Sequence, residues 1–335
     1  MKVCPSLSSN FVIFLAIGVV FGLSLIGMCP IYAQGGALIY VANYRSNTVS
    51  VIDTNSSTVG SPIAVGKEPY SIAFDSAHNR MYVANFLSDT VSIIDTNTNT
   101  VLGSQIPVGN APRGIAFDST HNRTYVANAL SDAITVIDTN TNKVVGSKIP
   151  VGNRPAGIAF DTKHQRVYVV NELSDTVSVI DTNTNTVLGL ISVGNGPFSI
   201  AFDSTHNRMY VVNELSDTVS VIDTNTNTVL GHISVGSGPF SIAFDPKHQR
   251  MYVTGGFSGR LSVIDTNANE VLGSPITVAN NAFGIIFDPT HDRMYVAEPD
   301  TDKVFAIDTN TNTPVGLPLV VGLSPNTVGV ASPQP

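Results

Sequence analysis

From Leu38 onward, short apolar runs alternate with polar segments rich in Asn, Asp, Thr, Ser and Gly. One cycle shows the pattern. "SIAFD" (residues 199–203) alternates small and large side chains, "MYVVN" (209–213) is a compact apolar run, "TVSVID" (218–223) is rich in β-branched residues, and "VLGHISVG" (229–236) follows. Between these runs lie turn-forming strings: "STHNR", "ELSD", "TNTNT" and "GSGP". Runs of this length and composition, bounded by such turns, predict four short strands per cycle. No stretch after the first 33 residues carries a helical period of useful length.

The cycle repeats. "YVVNELSDTVSVIDTNTNTVLG" occurs at Tyr168 and again, unchanged, at Tyr210. Tyr-Val pairs begin at Tyr40, Tyr82, Tyr125, Tyr168, Tyr210, Tyr252 and Tyr295, in steps of 42 or 43 residues, and an Ile-Asp-Thr-Asn follows each. Four-stranded units of this period fit the blades of a propeller. The repeats open in mid-unit, at a second strand ("ALIYVAN"), and end on "SPNTVGVAS" (324–332), a first strand without followers. The expectation is therefore an all-β fold: a seven-bladed β-propeller of four-stranded blades, 28 strands in all, spanning residues 34–335 and closed by a C-terminal first strand joining the N-terminal blade.

These units carry a family resemblance. "YVAN" at 40–43, 82–85 and 125–128, "YVVN" at 168–171 and 210–213, and the following "TVSVIDTNTNTV" resemble the YVTN-repeat β-propeller proteins, which include archaeal surface-layer-type and secreted bacterial members. The resemblance runs from about Leu38 to the end. It implies a blade scaffold and leaves function open. The name-giving Thr occurs only at Thr254, before Gly255, and the last copy reads "YVAE". The absence of Trp disfavours WD-type and kelch-type blades.

The first 33 residues differ in kind. Lys2 precedes residues 11–28, which carry no charge, and "IYA" ends at Ala33. A charged start, an apolar centre and a small final residue describe a secretory signal cut after Ala33. An uncleaved membrane anchor is the alternative, because the apolar run is long enough to span a bilayer. Either reading places the repeats outside the cytoplasm. Cys4 and Cys29 both lie in this leader, so the repeats have no thiol for disulfides, nucleophilic catalysis, zinc or c-type haem attachment.

Several repeated motifs imitate chemistry. His78, His121, His164, His206, His248 and His291 recur at one hairpin position, and rotational repetition spreads them around the ring, too far apart to converge on a metal. Each hairpin is flanked by Asp and Arg, as in Asp203 and Arg208, which predicts a hairpin-closing ion pair. "DTNTNT" begins like a calcium loop but lacks the sixth-position Gly and the twelfth-position Glu, so Asx turns are expected. Asn55 and Asn122 head glycosylation sequons on one face of the disc. Nothing calls for a cofactor.

On the opposite face the copies stop agreeing. After the repeated Gly-x-x-Pro come Tyr70, Arg113, Ala156, Phe198, Phe240, Phe283 and Asn326; after the second strand come Tyr44, Phe86, Ala129, Glu172, Glu214, Gly256 and Pro299. Variable loops on a rigid frame are where function can be placed. The candidate partner-binding face comprises Tyr44, Tyr70, Phe86, Arg113, Glu172, Phe198, Glu214, Phe240, Arg260 and Phe283. The expected role is a non-enzymatic scaffold for protein or glycan partners at the cell envelope, with membrane contact only through an uncleaved leader. A channel-centred enzyme of lactonase, lyase or quinoprotein type is the alternative, for which blades 6 and 7 ("TGGFSGR", "AEPDTDK") supply the out-of-pattern residues. The net charge of −8 argues against nucleic acid.

Overall fold

The computed structural model describes residues 36–279 and 281–331; the segment expected to be a leader, with Lys2, Cys4, Cys29 and Ala33, lies outside them. Seven antiparallel sheets follow one another around a central axis. Blade 2 is representative. Its innermost strand, Pro69–Asp75, pairs with Arg80–Asn85, which pairs with Thr90–Asp95, and the outer edge is formed by Thr100–Val101 and Ile106–Pro107. Blades 3 to 7 begin at Pro112, Pro155, Pro197, Pro239 and Ile285. In blade 1, Leu38–Asn43 pairs on one side with Thr48–Asp53 and on the other with Pro325–Ala331. The C-terminal strand thus completes the blade that the N-terminal one opens, as the repeat phase predicts.

The two-sided burial of the middle strands explains their composition. Met209, Tyr210, Val211 and Val212 are all fully buried, because the sheet is sandwiched between its neighbours. One face of blade 5, with Tyr210, Val212, Val219 and Val221, packs against Ile242, Met251, Val253 and Ile264 of blade 6. A strand buried on both faces reads as a continuous apolar run, which is how "MYVVN" differs from the alternating "SIAFD". The same packing seals the ring where Ile39, Val41 and Ile52 meet Tyr295, Ala297 and Val304.

Hydrogen bonds add a second link between blades. Tyr82, Tyr125 and Tyr168 each donate the phenol to an Asn in the third hairpin of the next blade, Asn142, Asn185 and Asn227, at 2.6 Å. The arginines join them. Arg80 donates to the Thr139 carbonyl at 2.9 Å and Arg123 to that of Thr182 at 2.9 Å. This corrects the expected ion pair across the first hairpin, which is not formed among the described residues. The reason is that Asp75, fully buried, is already saturated: it accepts the N–H groups of Ala77 and His78 and faces His78 Nδ1 at 2.8 Å. The arginine side chain is free to reach the adjoining blade. The same Asp–His pairing recurs in the other first hairpins. The "DTNTNT" carboxylates likewise close Asx turns, with Asp181 accepting from the backbone of Asn183 and Thr184.

The blades are four-stranded as expected, and the described residues form 32 strand segments rather than 28 because four outer strands are split in two. The outer strand is continuous in blades 4, 5 and 7 and broken in blades 1, 2, 3 and 6. In blades 2, 3 and 6 the break falls at a glycine held at positive φ (Gly103, Gly146, Gly273) with one additional residue; blade 7 has the same insertion at Gly316 and keeps its strand through a register shift. In blade 1 the break falls at Pro62, which has no N–H to give, although Pro318 at the same register in blade 7 is accommodated within a continuous strand.

Candidate binding face at the channel mouth

The loops that vary between copies meet on one face of the disc because the backbone ties them together. In successive blades the N–H after the second strand donates to the carbonyl just before the inter-blade Pro: Tyr44 to Ser324, Phe86 to Glu68, Glu172 to Arg154 and Glu214 to Gly196, at 2.9–3.1 Å. Two variable positions per blade are thus held side by side. The pre-Pro residue in turn donates its own N–H to an Asx side chain of the preceding blade, as Arg154 does to Asp132 at 2.8 Å. The side chains therefore stand on a rigid rim.

Those side chains form one continuous arc. Tyr70 packs edge-on against Tyr44 (ring centroids 6.2 Å apart) and tilted against Phe86 (5.8 Å). Across the axis, Phe240 lies 4.4 Å from Phe198 and 4.1 Å from Phe283. Arg113 joins the two groups, its guanidinium carbon lying 5.5 Å from the Tyr70 ring, 5.8 Å from Phe86 and 5.7 Å from Phe198, within cation–π range. Arg113 belongs to blade 3 and Phe198 to blade 5; the small Ala156 at the equivalent place in blade 4 leaves the path between them open. Tyr70, Arg113, Phe198 and Phe240 also line the mouth of a narrow axial cavity of about 80 Å³. Close approach of the innermost strands keeps it narrow: a Cβ on Gly114 would lie 2.0 Å from the Ala156 carbonyl oxygen.

The charged members are paired within the face. Glu172 accepts from Arg113 at 2.6 Å through one oxygen and from Arg154 at 3.0 Å through the other. Arg113 and Glu172 are 11% and 17% exposed, so this bridge is desolvated enough to be rigid. Glu214 sits close by; burial, reinforced by the Glu172 charge, pushes its carboxyl pKa up. Burial also raises the phenol pKa of Tyr44, to about 12, helped by its 2.6 Å bond to Glu68.

Of the ten predicted face residues, Arg260 alone stands outside this constellation, lining a separate cavity in blade 6. Three features escaped the sequence. Glu68 and Arg154 precede the inter-blade Pro, where the backbone has positive φ (53° and 54°) and blades 5 and 6 use Gly196 and Gly238. A charged residue at a position that suits glycine was the signal available. The third is a row of exposed leucines: Leu87, Leu130, Leu173 and Leu215 are 58–77% exposed in the same loops of blades 2 to 5. Their uniformity made them look like scaffold.

Solved structures match most of the chain at low identity. Hydrazine synthase of Kuenenia stuttgartiensis is 19% identical with a TM-score of 0.69, covering 77% of this chain and 88% of that one. A functionally unknown protein from Desulfotomaculum acetoxidans DSM 771 is 14% identical with a TM-score of 0.76, covering 89% and 99%. Dihydro-heme d1 dehydrogenase NirN in complex with DHE is 13% identical with a TM-score of 0.67, covering 91% and 77%. At such identity the likeness concerns the fold. No curated protein sequence matches the chain. The family model for YNCE-like beta-propellers matches residues 71–151 and 153–314. The chain belongs to the YNCE-like beta-propeller family.

Proposed function

We propose that this chain is an exported, non-enzymatic propeller that docks protein or glycan partners at the cell envelope through its channel-mouth face, in the manner of surface-layer-type YVTN proteins. One observation carries the reading: the loops that diverge between otherwise uniform blades converge into a single arc of aromatic rings and a buried guanidinium, flanked by exposed leucines. Tyr, Phe and Arg clustered at the centre of a patch are the usual anchors of protein interfaces, and aromatic faces also stack on sugar rings. Contiguous exposed apolar side chains mark interaction sites. The internal pairing of Arg113 with Glu172 favours a preformed recognition surface, because neither group is left to act on a substrate. Export by a leader cut after Ala33 predicts a secreted product whose first residue is Gln34, which N-terminal sequencing reads directly. The face is tested by capture from cell-envelope extract with wild type and with a variant altered at Tyr70, Arg113, Phe198 and Phe240. Partners retained by wild type and lost by a correctly folded variant support the reading; identical retention by both overturns it.

A further inference from the structure

Five blades end their second strand on an asparagine that fills the same space, and blade 6 does not. In blades 1 to 5 this side chain lies against the glycine of the preceding connection so tightly that a Cβ on Gly322, Gly66, Gly109, Gly152 or Gly194 would stand 2.5–2.7 Å from it. Its amide also bonds the third strand: Asn213 donates to Thr218 Oγ1 at 3.1 Å and to Ser220 Oγ at 2.9 Å. Blade 6 has Gly255 there, and a Cβ on Gly236 would meet only Ser262 Oγ, at 3.8 Å. The vacated space is a cavity of about 370 Å³, at the small end of the range of small-molecule sites.

A second substitution changes the chemistry of that space. Arg260 pairs across the strands with Gly255, where blades 1, 2, 4 and 5 place Thr48, Thr90, Thr176 and Thr218 opposite the asparagine. Arg260 has no acidic partner among the described residues and lines the cavity. Ser262 Oγ still accepts the Gly236 N–H at 3.3 Å but lacks the amide donor that Ser220 receives. Val253 and Pro275 give the cavity apolar walls.

From these two changes we infer that the blade 6 cavity is a binding site for a small hydroxy-carboxylate, with the carboxylate on the Arg260 guanidinium and a ligand hydroxyl donating to Ser262 Oγ. Guanidinium–carboxylate pairing supplies the charge selectivity. The unfilled acceptor on Ser262 selects a ligand that carries a donor in place of the missing amide. The site is independent of the channel-mouth arc.

Isothermal titration of the mature protein tests this with three probes: glucuronate as a sugar acid, malate as a plain hydroxy-acid, and glucose without a carboxylate. One or both acids bind and glucose does not; which acid binds identifies the source. Gly255→Asn, which places a side chain where five other blades carry one and turns aside Ser258 Oγ, 2.4 Å from the new Cβ, abolishes binding. Arg260→Thr, which restores the residue of the repeat, weakens it about tenfold to hundredfold. Arg113→Ala leaves it unchanged. Failure of both acids to bind overturns the inference, as does equal binding of glucose or full binding by either blade 6 variant.

Discussion

At the residue scale, the repeated tyrosine and asparagine do different work from the one their frequency invites. The tyrosine phenol crosses to the next blade, and burial pushes the pKa of Tyr82, Tyr125, Tyr168, Tyr210 and Tyr252 from the ordinary 10 up to about 12. Ionisation is thereby favoured in the unfolded chain. The contribution of these phenols to stability is whole below pH 10 and is lost as the pH climbs toward 12. A spectrophotometric titration is expected to show tyrosinate absorbance appearing in a cooperative step together with unfolding, instead of gradually around pH 10. Tyr168→Phe removes one bond to Asn227 and is expected to cost about 1 kcal/mol in denaturant unfolding. Tyrosine's place in the core was legible from the apolar run around it. Its partner was not, because Asn227 lies 59 residues away in a turn that closes its own hairpin equally well. The Asp–Arg pair was misread for a related reason: spacing puts Asp203 and Arg208 on one hairpin, whereas burial of the aspartate and the length of the arginine send Arg208 to the Thr266 carbonyl of the next blade.

At the element scale, closure rests on the strand Pro325–Ala331. It pairs along the length of Leu38–Asn43 and contributes Val328 to the seam between blades 7 and 1. Removing residues 324–335 leaves an open sheet edge at the centre of blade 1 and uncovers that seam. Loss of cooperative unfolding, or failure to accumulate as a soluble monomer, is the expected result in denaturation and size-exclusion measurements; a truncated protein as stable as wild type would contradict it. This closure was readable from the phase of the repeat, since a chain that starts at a second strand and ends at a first one has one place to put both. The broken outer strands were not anticipated, although Pro62 and the additional residue beside Gly103 stood in the sequence. Those strands lie at the rim, where packing is sparse, and the same features, an additional residue beside Gly316 and Pro318, leave the ladder of blade 7 continuous.

At the scale of the whole molecule, the ring separates a uniform face from a divergent one. The divergent side chains were identifiable from the sequence because the copies disagree there. Their mutual geometry required the fold: Arg113 is 85 residues from Phe198 in the chain, yet the two lie 5.7 Å apart across the small Ala156. Arg113→Ala is expected to leave Glu172 with Arg154 as its remaining cation and to separate the two aromatic groups, with loss of partner binding exceeding loss of stability. The most direct test of the docking face is site-specific photo-crosslinking in a cell-envelope preparation, with the reactive residue placed at Leu173 in one protein and at Thr184, in the third-hairpin turn of the uniform face, in another. The account predicts a discrete crosslinked partner from position 173 and none from 184; a partner captured only from 184, or from neither, would contradict it.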